Sequence, residues 1–278
     1  MKKVYGKVVL VVGASSGIGK AIAETLAMDG YKVYGTSRKY QDDLKTIPET
    51  NSDKGFIKML CLDVCSEECI NKAVVDVEQK EGKVDILVNC AGFGIAGSVE
   101  DTSDEEAFRQ FNTNFFGAHR ICRSVIPIMR KQGHGLIINI SSVAGLITVP
   151  FQSFYSASKC AMEALMEGLR MELKPFGIKV VLIEPGDTQT GFTNNRVFVR
   201  ASEDSIYKEV FNRSIARMVK YEQTGPSPEG IVRMVQKILS SSNPPVRQVV
   251  GSMNKIMVFL KWFLPDHIVE YIVIKLYA

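Results

Sequence analysis

Runs of valine, isoleucine and leucine recur along the chain at Val8 to Val12, Lys32 to Thr36, Ile57 to Leu62, Val84 to Val88, Leu136 to Ile140 and Lys179 to Ile183. Within each run the apolar residues are nearly continuous instead of alternating, the pattern of strands covered on both faces, as in a parallel sheet. Between them, Gly17 to Met28, Glu67 to Glu78, Glu105 to Lys131 and Phe154 to Leu173 carry apolar positions at helical spacing. Strands and helices that alternate in this way predict an α/β architecture, a single doubly wound parallel sheet with helices on both faces.

The rhythm changes beyond Pro185. Asp187 to Tyr221 is polar, lacks a clear strand, and holds two aromatic pairs of interest, Phe192 with Phe198 and Tyr207 with Phe211. Residues 187–225 are therefore expected to form a cap over the binding edge of the sheet. Pro228 opens a helix to about Leu239, and Arg247 to Val250 supplies a last strand, so residues 1–251 read as one domain. Residues 252–278 form an apolar extension: Ile256 to Leu260 and Trp262 to Leu264 make one run broken by Lys261, Pro265 interrupts, and Ile268 to Leu276 makes a second. Each run is too short to span a bilayer and too apolar to face water. Packing on the cap, a subunit interface and a membrane surface are the three destinations left open.

Composition narrows the function classes. With 278 residues, 46% hydrophobic and 23% charged, the chain is long enough for a sizeable core and is not a disordered chain. The formal charge of +4 is spread along the chain, where a nucleic-acid binder would cluster it. Met1-Lys2-Lys3 before Val8 to Val12 mimics a secretory leader briefly, but the apolar stretch runs straight into glycines and reads as a first strand. Six cysteines are too sparse for a disulfide scaffold and suit a reducing cytoplasm. Cys61, Cys65 and Cys69 have no second ligand cluster to complete a zinc site, so no metal is expected.

Directly after the first strand comes Gly13-Ala14-Ser15-Ser16-Gly17-Ile18-Gly19, followed by a helix. Glycines there let the backbone turn sharply and approach a pyrophosphate, while the helix N-terminus offers amide N–H groups and positive potential. At the end of the second strand a carboxylate would bind the adenosine ribose and repel a 2′-phosphate. The chain instead reads Thr36-Ser37-Arg38-Lys39. Arg38 is suited to a bidentate, charge-assisted pair with a phosphate, which favours NADP(H) over NAD(H).

Phe154-Tyr155-Ser156-Ala157-Ser158-Lys159 places Tyr155 and Lys159 four apart, on one face of a helix. A phenol's ordinary pKa is near 10, so neutral-pH acid/base work requires neighbouring cations to lower it by about 3 units. Lys159 is one such cation, and an oxidised nicotinamide is a second.

The Gly-x-x-x-Gly-x-Gly spacing of the loop, with Asp63-Val64, Asn89-Cys90-Ala91-Gly92 and the Pro185-Gly186 turn followed by Thr188 and Thr190, resembles the short-chain dehydrogenase/reductase family, from about Val4 to Gly251. Asn114, Ser142, Tyr155 and Lys159 match that family's Asn–Ser–Tyr–Lys tetrad in order and spacing. Val12, where a Thr is usual, and Cys90, where a second Asn is frequent, depart from the pattern without removing a phosphate contact.

The resemblance implies a Rossmann-like fold. It also implies that Gly13, Ser15, Ser16, Gly17, Ile18 and Gly19 hold the pyrophosphate, Asp63 and Val64 the adenine, and Pro185, Gly186, Thr188 and Thr190 the nicotinamide carboxamide. Asn89, Ala91 and Gly92 support the sheet beside the adenosine ribose. Tyr155 exchanges a proton with the substrate oxygen, Ser142 hydrogen-bonds that oxygen, and Lys159 tunes Tyr155 and holds the nicotinamide ribose. Asn114 holds a relay water through its backbone carbonyl and a local helix distortion. Ser141 and Asn112 are near misses expected to be structural, and His119, His134 and His267 lack an acid-and-nucleophile context.

The expected activity is NADP(H)-dependent hydride transfer to or from a small hydrophobic ketone or secondary alcohol, in the style of steroid- and retinoid-active members. Two alternatives stand beside it. One is a 3-ketoacyl reductase, although acyl-carrier-type reductases usually stop near this chain's last strand. The other is a non-catalytic NADP(H)-binding sensor or scaffold, which would typically lack the Tyr or Lys. A homo-oligomer, a cytoplasmic location and peripheral membrane contact through the tail complete the expectations; no nucleic-acid partner is among them.

Overall fold

The computed structural model describes residues 3–39 and 55–277; Met1, Lys2 and Ala278 lie outside them. Nine strands are present among the described residues: β1 (Val8–Val12), β2 (Lys32–Ser37), β3 (Phe56–Cys61), β4 (Ile86–Asn89), β5 (Ile95–Ala96), β6 (Gly135–Ile140), β7 (Ile178–Glu184), β8 (Val197–Phe198) and β9 (Arg247–Val249). The helices are α1 (Gly17–Met28), α2 (Glu67–Glu81), α3 (Asp104–Phe111), α4 (Gly117–Gln132), α5 (Ser153–Leu173), α6 (Lys208–Thr224), α7 (Glu229–Leu239), α8 (Ser252–Phe263) and α9 (Asp266–Tyr277).

Seven strands form one sheet in the order β3-β2-β1-β4-β6-β7-β9, with every pairing parallel. Its two faces explain the unbroken apolar runs. Along β1, Val8, Leu10 and Val12 join a core with α2, α4 and α5, while Val9 and Val11 join a second core with α1 and α7. The predicted doubly wound sheet with helices on both faces is the observed architecture. The crossover direction reverses between β1 and β4, so a crevice opens at the C-terminal ends of these strands, the usual ligand position in such sheets.

The helix predicted over Glu105 to Lys131 is three pieces. Ser103 caps α3 with a reciprocal Glu106 box, and residues Asn112–Phe116 then widen into a π-helical turn before α4. The Gly117 amide bonds the carbonyl of Asn112, five residues back, and glycine at 117 lets α4 approach Val64, whose side chain a Cβ would strike.

The segment after Pro185 is more ordered than its polarity predicts. Strand β8 pairs in parallel with β5, tying the segment to the core. Helix α6 turns Phe211, Ser214, Met218 and Glu222 inward. The aromatic residues find other partners: Phe192 stacks near Tyr155, Phe198 and Phe151 pack on Phe211, and Tyr207 meets Phe151. Phe151 itself adopts a left-handed backbone at φ 60°, a position that costs a bulky residue strain.

The tail folds as α8 and α9, broken at Leu264-Pro265. Its inward side packs on the protein's own Val143 and Ile147 through Met257, Val258, Val269, Val273 and Tyr277. Tyr221 of α6 meets Tyr277 with ring centroids 5.9 Å apart, and the Arg217 guanidinium donates to the Lys275 carbonyl at 3.3 Å.

Candidate active site

The turn from β1 into α1 is shaped for an anion. Gly13 and Gly17 take positive φ values of 80° and 55°, and a Cβ at Gly19 would overlap the Gly13 carbonyl oxygen. Ser16 sits at the N-cap but its side chain makes no capping bond, and no acid occupies the first turn of α1. The helix thus presents its positive end without an internal counter-charge. Across the crevice, Thr190 lies against Gly17, its Cβ 3.5 Å from where a Gly17 Cβ would stand. A loop held open by glycine, with uncapped amides, fits a dinucleotide's pyrophosphate.

The adjoining strand ends carry the other predicted contacts. Arg38 is exposed just past β2. The Asp63 carboxylate accepts from the Cys65 amide at 2.8 Å. Val64 is buried below, and its carbonyl accepts from Arg120 at 3.2 Å. Asn89 is buried and donates to Asn139 at 2.9 Å, while its carbonyl oxygen receives the Ala91 amide at 3.2 Å. This links β4 to β6 and orders the Ala91-Gly92 turn. Asn112 serves a similar structural end by accepting from Arg120 at 2.7 Å.

Ser142, Tyr155, Pro185, Gly186, Thr188 and Thr190 line one cavity of about 350 Å³, together with Ile18 from α1. Ser142 follows β6, and its hydroxyl accepts from the Ala144 amide at 3.1 Å. Tyr155 and Lys159 stand on successive turns of α5, both buried, with the Lys159 ammonium 5.8 Å from the centre of the Tyr155 ring. Lys159 donates to the Ile140 carbonyl at 2.9 Å. Asn114, set by the π-helical turn, clamps the main chain of Phe93: its amide oxygen accepts from Phe93 N at 3.1 Å and its amide nitrogen donates to Phe93 O at 3.0 Å. The same nitrogen reaches Ser158 Oγ at 3.2 Å. A Cβ at Gly92 would meet both Asn114 and Lys159, so the four tetrad residues share one corner.

The protonation balance differs from the expectation. Burial pushes the Tyr155 phenol up to about 12, opposed by the Ser142 hydroxyl and assisted by the Glu222 carboxylate. Burial likewise lowers the Lys159 ammonium to about 8, with Glu163 opposing. Desolvation is the largest influence on both groups, so in the protein alone the phenol lies above its ordinary value and the ammonium below its own.

Several cavity residues were invisible to motif reasoning. Met218, Tyr221 and Glu222 arrive from α6, and Met257, Val273 and Tyr277 from the tail. Beside the cavity lies a buried ion pair: Arg196 Nη2 meets Glu222 Oε1, whose other oxygen accepts from Thr193 at 2.6 Å. The Arg196 guanidinium is 5.8 Å from the centre of the Phe192 ring, which in turn stacks near Tyr155 at 5.6 Å. Asp187 adds a second carboxylate to the wall, and burial followed by repulsion from Glu222 pushes it up to about 6.

Comparison with known proteins agrees with this geometry. Residues 7–198 match the family model described as short chain dehydrogenase. A 3-ketodihydrosphingosine reductase of Bacteroides thetaiotaomicron is 40% identical over 274 residues, covering 98% of each chain. Retinol dehydrogenase 8 of Bos taurus is 33% identical over 275 residues, covering 94% of this chain and 86% of its own. A short-chain dehydrogenase structure from Streptomyces avermitilis superposes with a TM-score of 0.80 at 34% identity, covering 93% of this chain and 92% of that one. Fold, family model and relatives agree that the chain belongs to the short-chain dehydrogenase/reductase family, NAD(P)-binding oxidoreductases that act on the CH–OH/C=O couple.

Proposed function

We propose that the protein is an NADPH-dependent reductase of a long-chain ketone, of the class to which 3-ketodihydrosphingosine belongs. The observation that carries this reading is the make-up of the cavity. Ser142 and Tyr155 share it with apolar groups from α6 and the tail and with the carboxylates of Asp187 and Glu222. An apolar chain suits the first set; of the two carboxylates Glu222 is already engaged by Arg196 and Thr193, so an ammonium beside the ketone suits Asp187, the combination found in a long-chain amino ketone. The Bacteroides relative aligns through the tail, so the extension that argues against an acyl-carrier-type reductase is compatible with a 3-keto lipid. A retinoid or steroid substrate is the second reading, favoured by the likeness to retinol dehydrogenase 8; such a substrate brings no cation of its own to Asp187.

In this reading the loop from Gly13 to Gly19 holds the pyrophosphate, Asp63 and Val64 face the adenine, and Thr188 and Thr190 hold the carboxamide beside Pro185-Gly186. Asn89, Ala91 and Gly92 support the adenosine ribose side. Arg38 pairs with a 2′-phosphate, the basis of the NADP(H) preference. When bound, the reduced nicotinamide supplies the hydride. Tyr155, whose raised pKa keeps it protonated at neutral pH, donates its proton to the ketone oxygen. Ser142 donates a hydrogen bond to that oxygen as charge develops there. Lys159 holds the ribose hydroxyls and returns a proton toward Tyr155. Asn114 has its side chain engaged by Phe93 and Ser158 and contributes its main-chain carbonyl to the relay water.

The test is turnover with NADPH and NADH against 3-ketodihydrosphingosine, a 3-ketoacyl thioester, retinal and a steroid ketone. Highest kcat/KM for the amino ketone with NADPH supports the proposal. Highest kcat/KM for retinal or the steroid overturns the substrate class, and no turnover of any carbonyl favours the sensor reading.

A further inference from the structure

The two tail helices have an outward side that the fold leaves bare. On α8, Phe259, Trp262 and Phe263 are 62%, 80% and 70% exposed, with Ile256 and Leu260 beside them. On α9, Ile268, Tyr271, Ile272 and Ile274 are exposed as well. Contiguous apolar surface on this scale marks an interaction site on a soluble domain. Twelve-residue helices are about 18 Å long, well short of the hydrocarbon thickness, and no helix among the described residues is long and apolar enough to cross a membrane.

We infer that the outward face of α8 and α9 is a docking surface for a lipid bilayer, lying in the interface plane beside the cavity mouth. Charge selects this occupant. Helix α8 carries no acid and exposes Lys255, while Lys261 turns its ammonium to the Leu146 carbonyl at the edge of the face; Lys275 with Arg217 brings two more cations to the end of α9, against Asp266 and Glu270. An isologous dimer through this face would enclose Lys255 and Lys275 in an apolar seam, whereas at a bilayer surface their ammoniums reach the headgroups. An anionic leaflet complements these cations. The side chains also have the layout of an interfacial helix. Trp262 and Tyr271 are aromatic groups with a polar edge, and the Lys275 ammonium lies over the Tyr271 ring, 5.7 Å from its centre.

Position gives the surface a use. The opposite faces of the same helices supply Met257, Val273, Leu276 and Tyr277 to the cavity wall, and Met253 lines the cavity while remaining 67% exposed. An apolar substrate partitioned into the bilayer reaches the cavity past Met253 without crossing water. The surface stands whichever ketone is reduced.

Trp262 is the only tryptophan of the chain, so intrinsic fluorescence reads this face alone. The full-length protein is mixed with vesicles of phosphatidylcholine and of phosphatidylcholine with phosphatidylglycerol, and emission and flotation are recorded. The expected result is a blue shift and co-flotation with the anionic vesicles, weakened by salt. In a Phe259→Ser, Trp262→Ser, Phe263→Ser variant co-flotation is lost, while turnover of a short soluble ketone stays at the wild-type value. These positions point away from the cavity, and the variant's thermal transition reports that it is folded. An unshifted emission with all protein left in the sample layer overturns the inference. So does a dimer, stable on dilution and abolished by the triple variant, that ignores vesicles.

Discussion

Replacing Glu222 by glutamine removes one partner of an ion pair whose side chains are 1% and 10% exposed. Severing so enclosed a pair strands a charge in low dielectric, at a cost of about 3–5 kcal/mol. Two features set the value within that range. Arg196 already has its Nε and Nη1 hydrogens without a partner, so it has no second acceptor to turn to. Glutamine, however, keeps an amide oxygen able to accept from Thr193 or from Arg196, which places the loss near about 3 kcal/mol. At about 2 °C per kcal/mol for a chain above 250 residues, Tm should fall by about 6 °C. Urea unfolding measures the same quantity through its midpoint. Combining Arg196→Met with Glu222→Leu removes both charges and should return stability to within about 1 kcal/mol of wild type, because the desolvation cost leaves with the pair. The chemistry moves too. Burial and Glu222 raise the Tyr155 pKa and Arg196 lowers it, so Glu222→Gln removes one raising influence and keeps the lowering one. Ketone reduction requires the protonated phenol, and its rate falls as pH rises through that pKa; in the variant the fall begins at lower pH. A single-variant loss below about 1 kcal/mol, or a double variant as unstable as the sum of the singles, would refute the account of this pair.

Tyr155→Phe removes the proton donor and keeps the ring, so steady-state kinetics should show kcat lowered at least about 10²-fold with NADPH affinity nearly unchanged. Arg38→Ala should weaken NADPH by about 1.5–3 kcal/mol and barely alter NADH, measured as the ratio of kcat/KM values; equal losses would remove the phosphate role. The Glu184 carboxyl is buried with Glu163 around Arg247, at 3.2 and 2.9 Å from the guanidinium Nε. Burial, with repulsion from Glu163, raises it from an ordinary 4.5 to about 8. The stability it contributes is full below pH 4.5 and lost as pH rises through about 8. Urea midpoints between pH 5 and 9 should therefore decline less in Glu184→Gln than in wild type, and parallel declines would contradict the raised value.

The sheet was legible because strands buried on both faces spell themselves as unbroken apolar runs, and β1, β6 and β7 fall where those runs lie. Strands β5 and β8 are two residues each, too short for any period to show. Helix α6 was read as polar cap for a specific reason: two of its four inward positions are Ser214 and Glu222. A stripe made half of polar groups has no hydrophobic signature, and one of the two, Glu222, faces the candidate site. In the tail, apolar residues face both ways, toward the cavity and away from it, which hides helical period although the break at Pro265 was visible. Tyr155, Lys159, Ser142 and Asn114 were legible as a spaced set, whereas the direction of the phenol's pKa was not. Proximity of a lysine can be read along a helix; the depth at which Tyr155 sits depends on distant elements, α6 and the tail, that wall the same cavity.

The separation of β9 from α8 at Gly251 also has a bearing on how such a protein diversifies. The residues proposed to grip the nucleotide and move the proton are encoded before that glycine, whereas Met253, Met257, Val273, Leu276 and Tyr277 of the cavity wall are encoded after it. A single recombination event near codon 251 would hand the same catalytic engine a new admission filter without disturbing any strand of the sheet. During synthesis, at roughly 5–20 residues per second, the nascent chain acquires its nucleotide loop well before its selectivity.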